Sequence, residues 1–415
     1  MESTSSLSKQ RFFYGYAIVG ASFFVMLITN GAIYTFGVFF EPLQEEFGWT
    51  RAVTSGAFSM YMILHGALYI VTGRLNDRFG PRVVMTVCGL FLGAGYIMMS
   101  QTSAVWHLYL FYGLLISIGI SGTFVPLLST VARWFEQRRG LMTGIVVAGV
   151  AVGTMVMPPL AAWLIVSYGW RLSYLIIGGL VLASVVVAAR FLRRDPTQMG
   201  LVPYSKKKAD NKWEAKLPPV SDFSLSRAFR TRQFWLLGTA FAGLGYCQMS
   251  IMVHVVIYAR GLGLSPGSAA TIMTIIGGVG ILSRIIVGSI ADRIGTKIPV
   301  VFDLGLLSFG LILLAVAGQT WAVYVFAAIF GLAYGGLVAL MSPAVAELFG
   351  LRAHGGIMGA ITFCLTIGGA MGPIVTGYVF DVTGSYQLAF FAGAAVAAAA
   401  GVSASLLRPV RVRAC

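Results

Sequence analysis

Apolar residues fall in long runs along this chain, and short polar stretches separate one run from the next. A helix needs roughly 20 apolar residues to cross a bilayer core of about 30 Å, and each run is long enough for that. We therefore predict twelve membrane-spanning helices. The predicted spans are 14–40, 52–73, 83–101, 106–131, 140–166, 171–190, 233–259, 268–290, 299–317, 321–346, 356–380 and 386–407.

A polar motif between the second and third spans returns in the second half of the chain. Residues 73–82 read Gly-Arg-Leu-Asn-Asp-Arg-Phe-Gly-Pro-Arg, and residues 288–297 read Gly-Ser-Ile-Ala-Asp-Arg-Ile-Gly-Thr-Lys, an offset of 288 − 73 = 215. At the same offset Gly144, Gly153, Pro158 and Gly169 return as Gly359, Gly368, Pro373 and Gly384. Solenoid units are only about 20 to 50 residues long, so this repeat indicates a duplicated half-protein.

The repeat predicts an all-α membrane protein with twelve transmembrane helices in two six-helix, pseudo-symmetric halves. The halves are residues 1–190 and 233–415, and a polar linker at 191–232 joins them. Many secondary transporters have this organisation. The linker carries a triple lysine at 206–208, so we expect a solvated segment attracted to anionic lipid headgroups. Its last part, from Ser226 to Trp235, is predicted to begin a short interfacial helix that leads into span seven.

Composition and charge place the chain in lipid. Hydrophobic residues make up 58% and charged residues 10%, whereas a soluble protein carries about 25% charged residues. The net charge of +15 lies in short clusters between apolar runs, without the continuous basic face of a nucleic-acid-binding protein. If the N-terminus is cytoplasmic, all but four of the 29 lysines and arginines lie on the cytoplasmic side, which predicts that both termini are cytoplasmic.

Arg284 stands alone inside span eight. A charged residue at the bilayer centre costs about 2.5 to 3.5 kcal/mol on insertion scales, and no Asp or Glu lies in the middle of any span to offset it. Arginine keeps its charge in proteins and binds a carboxylate through two parallel hydrogen bonds. We therefore predict that Arg284 binds a mobile carboxylate. The alternative is a structural arginine that pairs with Asp303 or reaches the cytoplasmic face.

Other candidates follow from depth, at 1.5 Å per residue along each helix. Tyr334, Phe363, Cys364 and Ser117 lie near the level of Arg284 and are predicted to contribute to a substrate site, with plain helix packing as the alternative for each. Tyr34, in the outer part of span one, is predicted to contribute to the same site. His254 is a candidate for carrying a proton, since free histidine titrates near physiological pH. The alternative is a hydrogen-bonded structural histidine, and His65 in span two is a weaker candidate.

The two Gly-x-x-x-Asp-Arg-x-Gly loops resemble the signature of the major facilitator superfamily, and the resemblance covers nearly the whole chain. It implies the major facilitator fold and a conformational gate in which Asp and Arg bridge helix ends on the cytoplasmic face. The glycines of the gate would allow close helix approach. The residues of this predicted gate are Gly73, Asp77, Arg78, Gly288, Asp292 and Arg293.

Two further stretches resemble the monocarboxylate transporter family. Residues 134–149, Trp-Phe-Glu-Gln-Arg-Arg-Gly-Leu-Met-Thr-Gly-Ile-Val-Val-Ala-Gly, are similar to its signature leading into span five, and residues 14–16, Tyr-Gly-Tyr, to its span-one signature. The resemblance implies a bacterial member whose Arg284 binds the substrate carboxylate. Animal members carry an Asp where this chain has Gly280 and a Lys where it has Tyr34, and both are tied to proton coupling. Span eleven lacks the lysine of the related oxalate–formate exchangers, which argues against a dianion.

Residues and resemblance together predict a secondary active transporter of small monocarboxylates such as L-lactate or pyruvate. We expect proton coupling, alternating access, a monomer, and a place in the bacterial inner membrane. Neither a cofactor nor a metal is expected, and the chain has none of the phosphate-binding or hydrolytic motifs of an enzyme or an ATP-driven pump. The alternatives are a carboxylate exchanger, another major facilitator carrier for drugs or sugars, and a membrane sensor that transports nothing.

Overall fold

The computed structural model describes residues 13–204 and 222–408, and nearly all of them are helical. Eleven helices are long and apolar enough to cross a membrane, and the longest, Arg139–Phe191, breaks at Gly169 into two. The twelve helices are α1 Gly15–Phe47, α2 Arg51–Phe79, α3 Pro81–Met99, α4 Val105–Trp134, α5 139–168, α6 170–191, α7 Arg232–Gly261, α8 Pro266–Ile294, α9 Lys297–Ala317, α10 Thr320–Phe349, α11 His354–Thr383 and α12 Gln387–Ser405. The predicted number of spans is confirmed, and the chain is a multi-pass membrane protein.

The backbone repeats at the same offset as the sequence. Gly80 has φ 81° and ψ 167°, and its repeat mate Gly295 has φ 83° and ψ 168°. Gly169 and its mate Gly384 both have positive φ, 77° and 67°, but their ψ angles differ, at 162° and 9°. Positive φ is a left-handed conformation that glycine adopts without the steric cost of a side chain, so each glycine ends its helix and reverses the chain. At Gly80 and Gly295 the two halves therefore share local geometry as well as sequence.

The helices reach beyond the predicted apolar runs. The first run was predicted to end at 40, but α1 continues to Phe47 with a short break at Thr35; the second was predicted to end at 73, but α2 continues to Phe79. Polar residues outside the bilayer core can extend a helix because its hydrogen bonds lie within the backbone. The side chains around the bundle are apolar and exposed, such as Val166 at 88% and Ile374 at 72%, as expected for surfaces that face lipid.

Four helices cross between the halves at two places related by the repeat. Gly144 on α5 packs against the carbonyl group of Arg284 on α8, and Gly359 on α11 packs against the carbonyl group of Tyr69 on α2. Gly144 and Gly359 are repeat mates, and so are Arg284 and Tyr69. A Cβ atom at either glycine would overlap the facing carbonyl oxygen, so only glycine permits these approaches. The α5–α8 and α2–α11 crossings form the centre of the molecule.

The two described ends of the linker dock at equivalent positions of the halves. The backbone N–H of Tyr204 donates to the carbonyl of Trp134 at 3.0 Å, and that of Phe223 donates to the carbonyl of Phe349 at 3.0 Å. Trp134 and Phe349 are again 215 residues apart. A short helix at Leu225–Phe229 precedes α7, close to the start predicted at Ser226. The predicted lipid-attracted lysines 206–208 and both chain termini lie outside the described residues.

Candidate functional site

One face of the bundle carries the two repeated polar loops. We call it the basic face and define it by Arg74, Arg78, Arg82, Arg293 and Lys297, which lie where α2 meets α3 and α8 meets α9. The carboxylate of Asp77 accepts hydrogen bonds there from the backbone N–H groups of Gly355 and Gly356, at 3.0 and 2.9 Å. These two residues begin α11, so Asp77 caps a helix of the other half.

The same contact recurs on the other side of the pseudo-twofold axis. Asp292 accepts hydrogen bonds from the backbone N–H groups of Gly140 and Leu141, at 2.6 and 2.9 Å, at the start of α5. Because 77 and 292, 140 and 355, and 141 and 356 each differ by 215, this is one contact made twice. At these contacts Gly73 faces the carbonyl of Gly355, and Gly288 faces that of Gly140. Both aspartates and both glycines of the predicted gate thus lie at contacts between the halves, and their role in gating stays a prediction.

The arginines of the predicted gate do not bridge the helices. Arg78 is exposed and lies over the ring of Phe79, with its Cζ 5.1 Å from the ring centroid, and Arg293 is exposed as well. Each follows its aspartate directly and is therefore turned about 100° away around the helix. The arginine that pairs with Asp77 is Arg133 on α4, with Nη2 to Oδ1 at 2.6 Å. Nothing in the sequence motif singled it out.

The gate is not symmetric, because the repeat mate of Arg133 is Leu348. The Arg133 side chain is only 6% exposed and also donates to the carbonyl of Leu351 at 3.3 Å. Asp292 is held by backbone N–H groups alone among the hydrogen bonds of the described residues. The connection through α2 and α11 therefore contains a buried ion pair that the connection through α5 and α8 lacks.

A cavity of about 220 Å³ lies between the halves, deeper in the membrane than these contacts. At 1.5 Å per residue, Arg284 lies about 15 Å from the basic-face end of α8, and Tyr34 about 28 Å from the basic-face end of α1. Tyr34 in the cavity wall is 51% exposed, whereas Arg284 is 2% exposed. The cavity is thus closed toward the basic face, with the arginine at its closed end.

Arg284 has no ion-pair partner among the described residues. Its Nε and Nη1 atoms are buried without a hydrogen-bond partner, and its Cζ lies 5.4 Å from the ring centroid of Tyr334. The Tyr334 hydroxyl accepts a hydrogen bond from Gln248 at 3.3 Å. The alternative pairing with Asp303 does not occur: the Oδ2 atom of Asp303 is itself without a partner and lies against Gly336. A positive charge with free donors therefore faces the cavity.

The structure brings three of the predicted binding residues together and leaves three apart. Arg284, Tyr334 and Tyr34 line the cavity. Phe363 and Cys364 do not, because α11 presents the face formed by Thr362, Leu365, Thr366 and Gly369. The Cys364 sulfur lies instead against Gly238 of α7. Ser117 is fully buried, and its hydroxyl donates to the carbonyls of Gly113 and of Tyr61. Depth along a helix sets the level of a residue but not the direction in which it points.

His254 also lies outside the cavity. Its Nδ1 is 3.2 Å from the hydroxyl of Tyr386 and its Nε2 is 3.2 Å from the carbonyl oxygen of Pro373, which is the hydrogen-bonded alternative. The histidine in the cavity wall is His65. Sequence reasoning gave it less weight than His254. The repeat contained a signal for it, since His65 stands four residues before Tyr69, the mate of Arg284.

These features define a membrane transporter built from two homologous six-helix halves around a central cavity. The major facilitator superfamily model matches residues 22–320 and 300–414. Monocarboxylate transporter 4 of Rattus norvegicus is 30% identical over 398 residues, covering 92% of this chain and 81% of the relative. Monocarboxylate transporter 2 of Homo sapiens is 27% identical, with 94% and 84% covered.

Solved structures share the fold. The major facilitator transporter FucP in the outward conformation superposes with a TM-score of 0.71 at 16% identity, with 94% of this chain and 97% of that chain covered. The human organic anion transporter MFSD10 gives a TM-score of 0.72 at 15% identity, with 94% and 99% covered. The chain therefore belongs to the major facilitator superfamily and, within it, to the monocarboxylate transporter family. Its relatives are transporters, and it is a transporter rather than an enzyme.

Proposed function

We propose that this chain is a secondary active transporter of small monocarboxylates, such as L-lactate or pyruvate, coupled to protons and working by alternating access. The observation that carries the proposal is the buried guanidinium group of Arg284, which faces the central cavity with unpartnered nitrogen atoms. Carboxylate is the planar anion that two guanidinium N–H groups bind best. The names of the related monocarboxylate transporters support the same substrate class.

The cavity suits an anion with one charge and a short carbon chain. Arg284 is the only cationic residue among those that line it, so a second carboxylate would lack a partner there. The walls between the polar groups are apolar, with Ile33, Val147 and Val338 among them. A volume of about 220 Å³ lies below the range of about 300 to 1,000 Å³ typical of drug-sized ligands.

In the proposed cycle the two contacts at the basic face open and close the path on that side. An anion that enters from the opposite face neutralises Arg284, which lowers the cost of enclosing the charge in a dry cavity. The halves then rock, and the Asp77 and Asp292 caps must break to release the anion at the basic face. By the positive-inside rule we propose that the basic face and both termini are cytoplasmic, in a bacterial inner membrane. Both halves of the chain contribute residues to the cavity wall, and we propose that a monomer transports.

The test is uptake of radiolabelled L-lactate into proteoliposomes with and without an inward proton gradient. The parent should show gradient-stimulated uptake, and Arg284→Ala should abolish it. Arg284→Lys is the matched variant, since it keeps the positive charge but cannot form two parallel hydrogen bonds to a carboxylate. In this variant KM for lactate should rise about tenfold, which corresponds to about 1.4 kcal/mol of binding free energy.

Three results would change the proposal. Uptake by Arg284→Ala equal to that of the parent would remove Arg284 from the substrate site. Parent uptake that depends on lactate inside the vesicles, and not on the proton gradient, would make the protein an exchanger. No lactate uptake by a folded parent would leave a transporter of another substrate.

A further inference from the structure

One histidine faces the same cavity as Arg284, from the other half of the molecule. His65 on α2 lines the cavity wall and is 8% exposed. Its ring stacks on that of Tyr61, with centroids 4.6 Å apart, and meets Tyr69 edge-on at 5.2 Å. Both contacts hold the imidazole in one orientation.

The hydrogen bonds of His65 decide which ring nitrogen is open to the cavity. Nδ1 lies 3.0 Å from the carbonyl oxygen of Tyr61. A carbonyl oxygen only accepts hydrogen bonds, so Nδ1 must carry the hydrogen of the neutral ring. The lone pair is then on Nε2, to which no group of the described residues donates. A neutral His65 is therefore ready to accept a proton at Nε2.

Among the described residues that line the cavity, His65 is the only one with a side chain that can change from a neutral to a positively charged form. The titratable or charged residues that face His65 are Tyr34 of α1, Tyr61 and Tyr69 of α2, Arg284 of α8 and Tyr334 of α10. α4, α5, α7 and α11 contribute neutral side chains to this wall, and no carboxylate lines it. Tyrosine holds its proton to about pH 10 and arginine stays charged throughout. Histidine is the side chain whose ordinary titration falls between pH 5 and 8.

The repeat places His65 opposite the anion site. Tyr69 is the mate of Arg284, and His65, four residues earlier, is the mate of Gly280. Residues four apart share a helix face, and a Cβ atom added at Gly280 would lie 3.7 Å from Nη1 of Arg284. The C-terminal half thus supplies a fixed charge at Arg284, and the N-terminal half supplies a titratable group one helical turn from the equivalent position, Tyr69.

We propose that His65 is the residue that carries the co-transported proton, taking it at Nε2 from water and releasing it to water on the far side together with the anion. This inference rests on the proposed function and assigns its coupling residue. The bound carboxylate stabilises the imidazolium, and the imidazolium stabilises the bound carboxylate, so each ligand raises the affinity for the other by the same factor.

Charge balance gives the proposal a distinctive consequence. The empty cavity holds one positive charge, on Arg284. The loaded cavity holds the arginine, the imidazolium and one carboxylate, which again sum to one positive charge. The loaded and empty carriers therefore move the same charge in opposite directions, and transport is electroneutral. Without a protonated His65 the loaded cavity is neutral, so each cycle moves one negative charge inward.

The experiment compares the parent with His65→Gln, which keeps a polar side chain of similar length but cannot titrate. His254→Gln is the matched control, since it removes a histidine outside the cavity. L-Lactate uptake into proteoliposomes is driven either by an inward proton gradient or by a potassium diffusion potential. In the parent, one pH unit should support about a tenfold accumulation, and the potential should have no effect.

In His65→Gln the proton gradient should no longer drive accumulation, and an inside-positive potential of about 59 mV should support the tenfold accumulation instead. His254→Gln should behave as the parent. Accumulation by His65→Gln in response to the proton gradient would overturn the inference. Parent uptake that does not respond to the proton gradient would also overturn the inference. A parent that takes up no lactate at all would overturn the proposed function itself.

A binding measurement covers the case in which His65→Gln folds but does not cycle. In weakly buffered detergent solution at pH 7, a pH indicator reports protons taken up as lactate binds. The parent should take up protons on binding, and His65→Gln should take up none. Equal proton uptake by the two proteins would contradict the assignment.

Discussion

The surroundings of single residues decide how the cavity handles charge. Arg284 is enclosed by the Tyr334 ring and apolar walls, and no carboxylate shares the cavity with it. In such a site the effective dielectric constant is far below that of water, so one added or removed charge changes anion binding strongly. A change of charge next to Arg284 should therefore alter the affinity for an anion more than a change of side-chain shape does.

Substitutions at Gly280 test whether charge or shape next to Arg284 controls anion binding. A side chain there would begin 3.7 Å from Nη1 of Arg284, so Gly280→Asp should pair with the guanidinium group and compete with the substrate. We expect KM for lactate to rise at least tenfold at pH 7, about 1.4 kcal/mol of binding free energy. Gly280→Asn has the same shape without the charge and should raise KM much less. Equal KM values for the two variants would mean that crowding, not charge, is responsible.

At the scale of helices, the two central crossings depend on glycine. Gly144 and Gly359 face the carbonyls of Arg284 and Tyr69, the two mates at the cavity floor. The same contact therefore positions Arg284 and holds α5 against α8. A side chain at either glycine would separate the halves and tilt the helix that carries the site.

Gly144→Ala and Gly359→Ala should each destabilise the protein by roughly 1 to 3 kcal/mol, as overpacked sites do. Lactate uptake should fall with the stability, because the basic face can no longer close. Gly179→Ala is the control, since Gly179 on α6 has no atom within 4 Å of an added Cβ. The measurements are the thermal unfolding midpoint in detergent and uptake. An unchanged midpoint for Gly144→Ala would show that the helices can shift apart without cost.

At the scale of the whole molecule, two carboxylates tie the halves together at the basic face. They are repeat mates, yet among the described residues only Asp77 forms a salt bridge with an arginine, and this pair with Arg133 is largely buried. Removing one partner of a buried pair costs about 3 to 5 kcal/mol, because the other charge is left unpaired. The two ties should therefore differ in strength although their backbone hydrogen bonds match.

Asp77→Asn should open the basic face more than Asp292→Asn does. Spin labels at Leu75→Cys on α2 and Arg352→Cys before α11, both exposed, report the distance between halves in a protein without its native cysteines. We expect Asp77→Asn to increase the population of the longer distance the most. Asp195→Asn removes a half-buried pair with Arg194 at 3.3 Å and should leave the distribution unchanged, because that pair does not join α2 to α11. A larger effect from Asp292→Asn would show that the Arg133 pair does not hold the gate.

The predictions from sequence succeeded where a one-dimensional pattern carries the information. The lengths of the apolar runs gave twelve spans, and the 215-residue offset gave the halves and the paired aspartates. Arg284 stood out because a lone charge within an apolar run needs a partner, and its role in binding stays a prediction. Predictions failed at Phe363, Cys364 and Ser117, whose levels were suitable but whose directions were not.

The sequence by itself thus determined the membrane bundle, its duplication, the contacts made twice at the basic face and the unpaired arginine. Only the tertiary structure decided which side chains face the cavity, that His65 does so and His254 does not, and that Arg133 replaces Arg78 beside Asp77. The physical reason lies in the bilayer. A helix in lipid is apolar on every side, so its sequence fixes depth along the axis but says little about rotation around it, which packing against the other helices sets.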